Sequence, residues 1–393
     1  MKRMLALNHF ANPLDAPGGT RLVELTERLD GWDTTIIAAS RNLFTRGVQV
    51  SDHASYKTVW TTPYNDNGWQ RLLNWLSYAG GAFVLGLVQP RPAVVYASSP
   101  HLLTGVSGWA LAKVRRATFV LEIRDLWPQI LADTGRLSAE SKTYRRIKRV
   151  EQFLYQRADA IVVLTQGVAD AIVDEGVDRE RIALIPNGAD PADFVVTDER
   201  EVLRRRFGFT GTTVVYAGAH GPANGLDFVL DAAAELRDER PHVQFVLVGD
   251  GLTKAALQRR ARAEHLDNVR FLDPIPKNEI PGLLAASDVG LHVLSDLPLF
   301  LYGVSPNKLF DYMAAGRPVL TNTAGEVGDL VKQNDAGVVV GPAGLASGVR
   351  QIDDAGVDQR RSWGRNGQAF MAANRSRSLM AARLQALLDR VRP

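Results

Sequence analysis

Ser305-Pro306-Asn307-Lys308-Leu309-Phe310-Asp311-Tyr312-Met313-Ala314-Ala315-Gly316-Arg317-Pro318-Val319-Leu320 reads as a helix that opens on a ligand and closes on a strand. Ser305 suits an N-cap and Pro306 the first helical position, where its missing N–H costs nothing. Gly316 stops the helix and Pro318 prevents its continuation, so about three turns are expected. The unpaired first-turn amides carry roughly half a positive charge, which makes the end marked by Ser305, Asn307 and Lys308 suited to an anion such as phosphate. Asp311 follows one turn later, placed to accept hydrogen bonds from hydroxyls beside that anion. A nucleotide supplies both. The plainer alternative is a capped helix that packs Leu309, Phe310 and Met313 on a sheet, and the rest of the chain has to decide.

With 393 residues the chain exceeds the size at which one hydrophobic core keeps growing, so two domains of roughly 150 to 200 residues are expected. Its 46% apolar and 23% charged content fits a globular protein. The net charge of +3 is too small to make nucleic acid the main partner. With zero cysteines, disulfides and thiolate chemistry are excluded. Met1 to Leu7 starts like a signal peptide, but its apolar run ends at Asn8 and His9, so a first strand is the better reading. The apolar stretch Trp75 to Val88 falls about six residues short of a spanning helix, and no transmembrane segment is expected.

Strands are expected over Arg3–Asn8, Thr34–Ala39, Ala93–Ser99, Phe119–Ile123, Ala160–Leu164 and Ile182–Ile185, with helices between them. Gly18 and Gly19 place bare backbone at the start of a helix from Thr20 to Leu29, where a phosphate could approach amides; alternatively the pair only makes a tight turn. The fourth of these strands runs into Arg124-Asp125-Leu126-Trp127-Pro128. Ligands of open parallel sheets sit beyond the carboxyl ends of strands, so Asp125 is placed like a working carboxylate, its plainer role being a helix cap. Lys142 to Arg157 is a basic helix that could touch anionic lipid headgroups or simply face water. The turn-rich Pro186-Asn187-Gly188-Ala189-Asp190-Pro191 marks the domain boundary. Alternation restarts with strands Thr213–Ala217, Gln244–Val248, Val269–Leu272 and Val289–Leu294, and a last helix, Ser376 to Val391, is expected to cross back. The domains are therefore 1–188 and 189–375, with 376–393 packing on the first. Such alternation implies two doubly wound α/β domains.

Three strand ends of the second half serve one requirement. Gly218 and Gly221 leave room for a ligand, Gly249-Asp250-Gly251 precedes Lys254, and Ser305 to Lys308 offers a helix N-terminus; together they describe a diphosphate pocket with Asp311 beside it. There is no GxxxxGK[ST] motif and no G-x-G-x-x-G after the first strand, which argues against an ATPase or a dinucleotide dehydrogenase. The histidines lack metal-ligand spacing. His9, His101 and His220 lie at strand ends, as site residues or as structural ones.

These residues resemble glycosyltransferase family 4. The resemblance rests on Val248-Gly249-Asp250-Gly251 with Lys254, Phe271-Leu272-Asp273-Pro274, Ala286-Ser287-Asp288-Val289 and Asn307 to Val319, and in the first half on Gly18-Gly19-Thr20-Arg21, Arg124 to Pro128 and Ile185 to Asp190. The likeness is greatest to the branch that builds bacterial O-antigen, capsule and exopolysaccharide chains. It implies a GT-B fold, two Rossmann-like domains facing across a cleft, with the acceptor in the first domain and the nucleotide sugar in the second. It also implies a retaining transfer with no metal and no cofactor. By position, Asp311 would bind ribose hydroxyls, Pro274 and Ile275 would flank the base, and Lys254 with Gly18, Gly19, Gly218, Ser305, Asn307 and Lys308 would hold the diphosphate. Asp125 would act at the reacting sugar, with Arg124 and His101 on the acceptor side. Two departures stand out. The family's usual Glu eight positions before the second acid is Gly303 here, and the usual Lys of the first loop of the second domain is replaced near Asn224, so Lys308 is expected to compensate.

The implied reaction moves a sugar, N-acetylated or deoxy, from a UDP-type donor to a glycan or polyprenyl-linked saccharide. The expected location is the cytoplasm, at the inner face of the membrane, with Lys142–Arg157 as the membrane contact. A UDP-sugar 2-epimerase of similar fold and a non-enzymatic two-lobe sugar-binding protein are the rival readings. The first would act without an acceptor, and the second would carry an export signal.

Overall fold

The structure, a computed structural model, describes residues 1–14, 16, 19–42, 47–48, 55–64, 68–99, 101–297, 300 and 303–391. They form two units, and the chain passes from the first to the second at Pro186 and Asn187, inside the turn-rich segment expected to join them.

The first unit is built on strands β1 (Lys2–Leu7), β2 (Trp32–Ala39), β3 (Tyr56–Val59), β4 (Val94–Ser98), β5 (Thr118–Ile123), β6 (Ala160–Val163) and β7 (Ile182–Leu184). They make one sheet in the order β3-β2-β1-β4-β5-β6-β7, with every pair parallel. β4, β5 and β6 are buried along their whole length, as apolar runs covered by helices on both faces must be. On one face lie helices Trp69–Val88, Leu102–Arg115, Lys142–Arg157 and Gln166–Asp174. On the other lie the short helix Arg21–Thr26 and the last helix, Arg377–Val391, whose Met380, Ala381, Leu384, Leu387 and Leu388 enter the core of this first unit.

The second unit contains β8 (Thr212–Ala217), β9 (Val243–Val248), β10 (Val269–Leu272), β11 (Val289–His292), β12 (Val319–Thr321) and β13 (Gly337–Val339). Their order is β10-β9-β8-β11-β12-β13, again all parallel. Both sheets thus reverse direction beside their first strand, between β1 and β4 and between β8 and β11. At such a switch point the two flanking crossovers leave on opposite faces and open a crevice at the carboxyl ends. Helix Asn307–Ala314 is the crossover from β11 to β12, so its N-terminus belongs to that edge.

Two edge strands, β3 and β13, were not expected. Each is short, and neither carries the long apolar run that marks the central strands. The apolar stretch lies within the helix Trp69–Val88, which the sequence reading places with these bounds; its 20 residues are enough by length and composition to cross a membrane. One of its faces is nevertheless committed to this unit's core through Tyr78 and Ala82.

Candidate active site

In the second unit the carboxyl ends of β8, β9, β10 and β11 carry most of the residues named above. β8 ends in Gly218, whose N–H donates to Val248 O at 2.9 Å. A Cβ on Gly249, which has φ +142°, would fall 1.9 Å from Gly218 O, so the backbones of the two loops meet where no side chain fits. His220 N donates to Asp250 O at 2.8 Å, and Thr253 returns two bonds to His220 O, from N at 2.9 Å and from Oγ1 at 2.7 Å. The β8 and β9 loops therefore form one rigid floor. His220 is fully buried within it, with neither ring nitrogen hydrogen-bonded, and burial followed by the charge of Lys254 lowers its pKa to about 4.

Lys308 is the central group. Its Nζ donates to Tyr216 Oη at 2.6 Å and to Asn224 Oδ1 at 3.1 Å, and it stands 4.0 Å from the Tyr216 ring centroid. Both acceptors are neutral, and among the described residues no carboxylate pairs with it. Burial alone brings its pKa down to about 7. Asn224, near which the resemblance expects a cation, instead accepts a hydrogen bond from this lysine. A Cβ on Gly218 would approach Lys308 Cε to 2.9 Å and Nζ to 3.0 Å, so the glycine leaves the space this ammonium occupies. Asn307 Oδ1, on the same helical turn, is buried without a partner.

The other two lysines are compensated. Lys254 Nζ donates to Asp273 Oδ1 at 2.8 Å and to Leu272 O at 3.2 Å, which directs it to the end of β10. Lys277, which the sequence reading did not single out, donates to both carboxylate oxygens of Asp311 at 2.6 Å. Asp311 is 7% exposed, so the residue expected to meet ribose hydroxyls is held by a neighbouring cation. Pro274 and Ile275 lie half-buried in the loop between Asp273 and Lys277. A lysine two residues beyond the expected base-flanking pair was the available signal for Lys277.

The helix start differs from expectation. The helix runs from Asn307 to Ala314, eight residues, with Pro306 as its cap in extended conformation. Ser305 does not cap it: its Oγ accepts from Asn187 N at 2.9 Å, and its carbonyl accepts from Asn187 Nδ2. The hydroxyl is taken by the chain entering the unit, which leaves the first-turn amides without a side-chain cap. Gly303 has φ +78°, a left-handed backbone that strains any other side chain, so an acid at that position would have to bear that strain or shift the backbone.

The first unit places its candidates at the ends of β1, β4 and β5. His9 Nδ1 and His101 Nε2 are 2.8 Å apart, both rings are buried, and Trp75 stacks on His101 at 4.9 Å. Burial drives His9 down to about 3 and His101 well below its ordinary value, so both are neutral. Arg124 N donates to Ser99 Oγ at 2.9 Å, which fixes the turn that carries Asp125. Burial raises the Asp125 carboxyl pKa, and the Arg124 charge offsets part of that rise. Beneath this turn Glu122 pairs with Arg21 at 2.9 Å and accepts from Ser98, while Arg21 also donates to Ile185 O at 2.6 Å and Pro186 O at 2.7 Å. This network was not foreseen. Gly19 precedes the helix Arg21–Thr26, its carbonyl accepting from Asn12 N at 3.0 Å, and Gly18 lies outside the described residues.

Two domain signatures match the chain. Residues 19–188 match a "Glycosyl transferase 4-like domain" and residues 211–354 match "Glycosyl transferases group 1". WbjE of Pseudomonas aeruginosa, named a probable glycosyltransferase, is 26% identical over 240 residues, 60% of this chain and 59% of WbjE. WcaI of Escherichia coli K12, whose name places it among glycosyl transferases of colanic acid biosynthesis, is 27% identical over 272 residues, 66% of each chain. The matched stretches thus span 59% and 66% of these two relatives. Among solved structures, Anabaena HepE in complex with UDP-glucose has a TM-score of 0.73 at 18% identity, covering 99% of this chain and 100% of that one, a likeness of fold.

Proposed function

The chain belongs to glycosyltransferase family 4, and from that premise we propose that it transfers a sugar from a nucleoside diphosphate, UDP, to a hydroxyl of a glycan or lipid-linked saccharide. The observation that carries this reading is the half-buried, uncompensated ammonium of Lys308 at the first turn of helix Asn307–Ala314. A cation partly withdrawn from water with only neutral partners is costly unless an anion joins it. Beside it stand a helix N-terminus without a side-chain cap and the Asp311 carboxylate, both of whose oxygens accept from Lys277, so a ribose hydroxyl would have to share them with that cation. A diphosphate supplies the missing anion.

In this reading the second unit holds the donor and the first holds the acceptor. The acceptor oxygen bonds to the anomeric carbon with retention, the bond from that carbon to the diphosphate breaks, and its electron pair stays on the phosphate oxygen. Lys308 and the helix amides meet the developing charge, a kind of stabilisation commonly worth several kcal/mol of barrier. The acceptor proton passes to Asp125, whose raised pKa makes it a better base than an exposed aspartate. No metal and no cofactor take part. The sugar is an N-acetylated or deoxy hexose destined for cell-surface polysaccharide, added at the inner face of the cytoplasmic membrane, where the basic helix Lys142–Arg157 meets anionic headgroups.

Thermal unfolding with UDP, GDP and ADP tests the donor site, since a ligand at 100 times its dissociation constant adds about 2.7 kcal/mol. No shift with any of them would end the reading. Asp125→Asn should lower turnover on the order of a hundredfold while the UDP shift persists. Collapse of nucleotide binding in that variant would instead refute its assignment as the base.

A further inference from the structure

Helix Trp69–Val88 is amphipathic in the wrong sense for a water-facing helix. Its inner face carries the polar groups: Asn74 donates to Thr62 O and Tyr78 Oη donates to Ile37 O at 2.7 Å. That face is pressed close, since a Cβ on Gly86 would strike Leu111 of the next helix at 2.4 Å. Every exposed residue of the helix is apolar or glycine. Trp69, Leu72, Leu73, Leu76, Val84 and Val88, between 43% and 74% exposed, form one stripe along its length. A contiguous apolar stripe about 30 Å long marks an interaction surface.

The neighbours in the same layer supply charge. Helix Leu102–Arg115 packs between this helix and Lys142–Arg157. The latter exposes Lys142, Arg145, Arg146, Arg149 and Arg157. Where the apolar helix ends, Arg115 donates to Leu87 O at 2.6 Å and to Gln89 O at 2.7 Å, with Lys113 and Arg116 exposed beside it. The three helices contain one carboxylate, Glu151, and it is buried.

We propose that this layer docks on an anionic lipid bilayer, with helix Trp69–Val88 lying in the plane of the interface, its stripe among the upper acyl segments and the flanking cations on lipid phosphates. The proposal deepens the reading of a lipid-linked acceptor, and rests on it only for why an enzyme should dock there. The helix does not span, because its other face belongs to the core of the first unit. A second copy of the chain is the poorer occupant, since it would set one basic helix against another.

The chain has no cysteine, so a single one can report. Full-length Val84→Cys carrying an environment-sensitive fluorophore is mixed with vesicles of phosphatidylcholine alone or with phosphatidylglycerol, alongside Asp30→Cys, which is exposed on the opposite face of the sheet. Expected are a blue shift and quenching by brominated lipid at position 84 on the anionic vesicles only, with no change at position 30. Partitioning should fall about fivefold for each of Arg145, Arg146 and Arg149 changed to Gln, and should weaken with added salt. No shift at position 84 on any vesicle, in protein that UDP still stabilises, overturns the docking surface alone. A shift that follows protein concentration without lipid assigns the stripe to a second copy and overturns it equally. Loss of UDP stabilisation bears on the donor site and leaves the vesicle result to decide.

Discussion

Nucleotide affinity should depend on pH through Lys308. Burial holds its amine at about 7 instead of 10.5, so at pH 8 roughly nine in ten molecules have it unprotonated. A diphosphate set beside the amine favours the charged form and returns the pKa toward its ordinary value. Binding at pH 8 then takes up close to one proton, and affinity falls by up to about tenfold per unit between pH 7 and 10. Nearby groups do not titrate in that window: His220 sits at about 4, His292 at about 3, and burial pushes Tyr216 and Tyr312 upward. The terminal phosphate of UDP, like other phosphate monoesters, loses its last proton near pH 6, below the window. Calorimetric titration with UDP at pH 8, in two buffers of different ionisation heat, counts the protons directly. Lys308→Met should bind more weakly, with buffer-independent heat. Buffer-independent heat in the unaltered protein would refute the argument, because it would mean that the amine is already charged or that the diphosphate lies elsewhere. Without nucleotide the sign is fixed as well: the unfolded chain binds this proton more tightly, so stability should rise as pH climbs through 7 toward 10.5.

Asp311→Asn leaves the Lys277 ammonium without the two short bonds it makes, between side chains 18% and 10% exposed, and should cost about 3 kcal/mol in urea unfolding. Adding Lys277→Met should restore most of that stability without restoring UDP affinity. Gly303→Glu returns the acid of the family pattern but forces a side chain onto φ +78°, so thermal unfolding should show a loss of about 1–2 kcal/mol with no gain in turnover. A faster variant would show that the missing charge, and not the backbone, was limiting. Glu122→Gln breaks a pair whose side chains are 2% and 1% exposed, and urea titration should register a loss of about 3–5 kcal/mol.

The strands were legible where burial writes long apolar runs. Val269–Leu272 was placed to the residue, and β1, β5, β8 and β9 to within one or two positions. β3 and β13 escaped because edge strands need no such run. The site was legible as residue types at strand ends, since Gly218, Lys254, Lys308 and Asp311 all stand on the carboxyl edge of the second sheet. Their partners were not. Lys277 lies 34 positions from Asp311, Tyr216 lies 92 from Lys308, and Asn187 lies 118 from Ser305. Local rules describe what Ser305 can do for the helix after it. They cannot report that an amide from a distant turn has claimed the hydroxyl first.

Helix Arg377–Val391 gives the first unit its last core residues after the whole second unit has been written. On the ribosome, therefore, the first sheet is held open longer than the second: the internal unit can finish folding while the first waits for residues 377–391. A nonsense codon near residue 375 would spare the internal lobe and leave its N-terminal neighbour with a bare apolar flank, a substrate for chaperones. Synthesis of residues 377–391 is thus the step that completes the first unit's core.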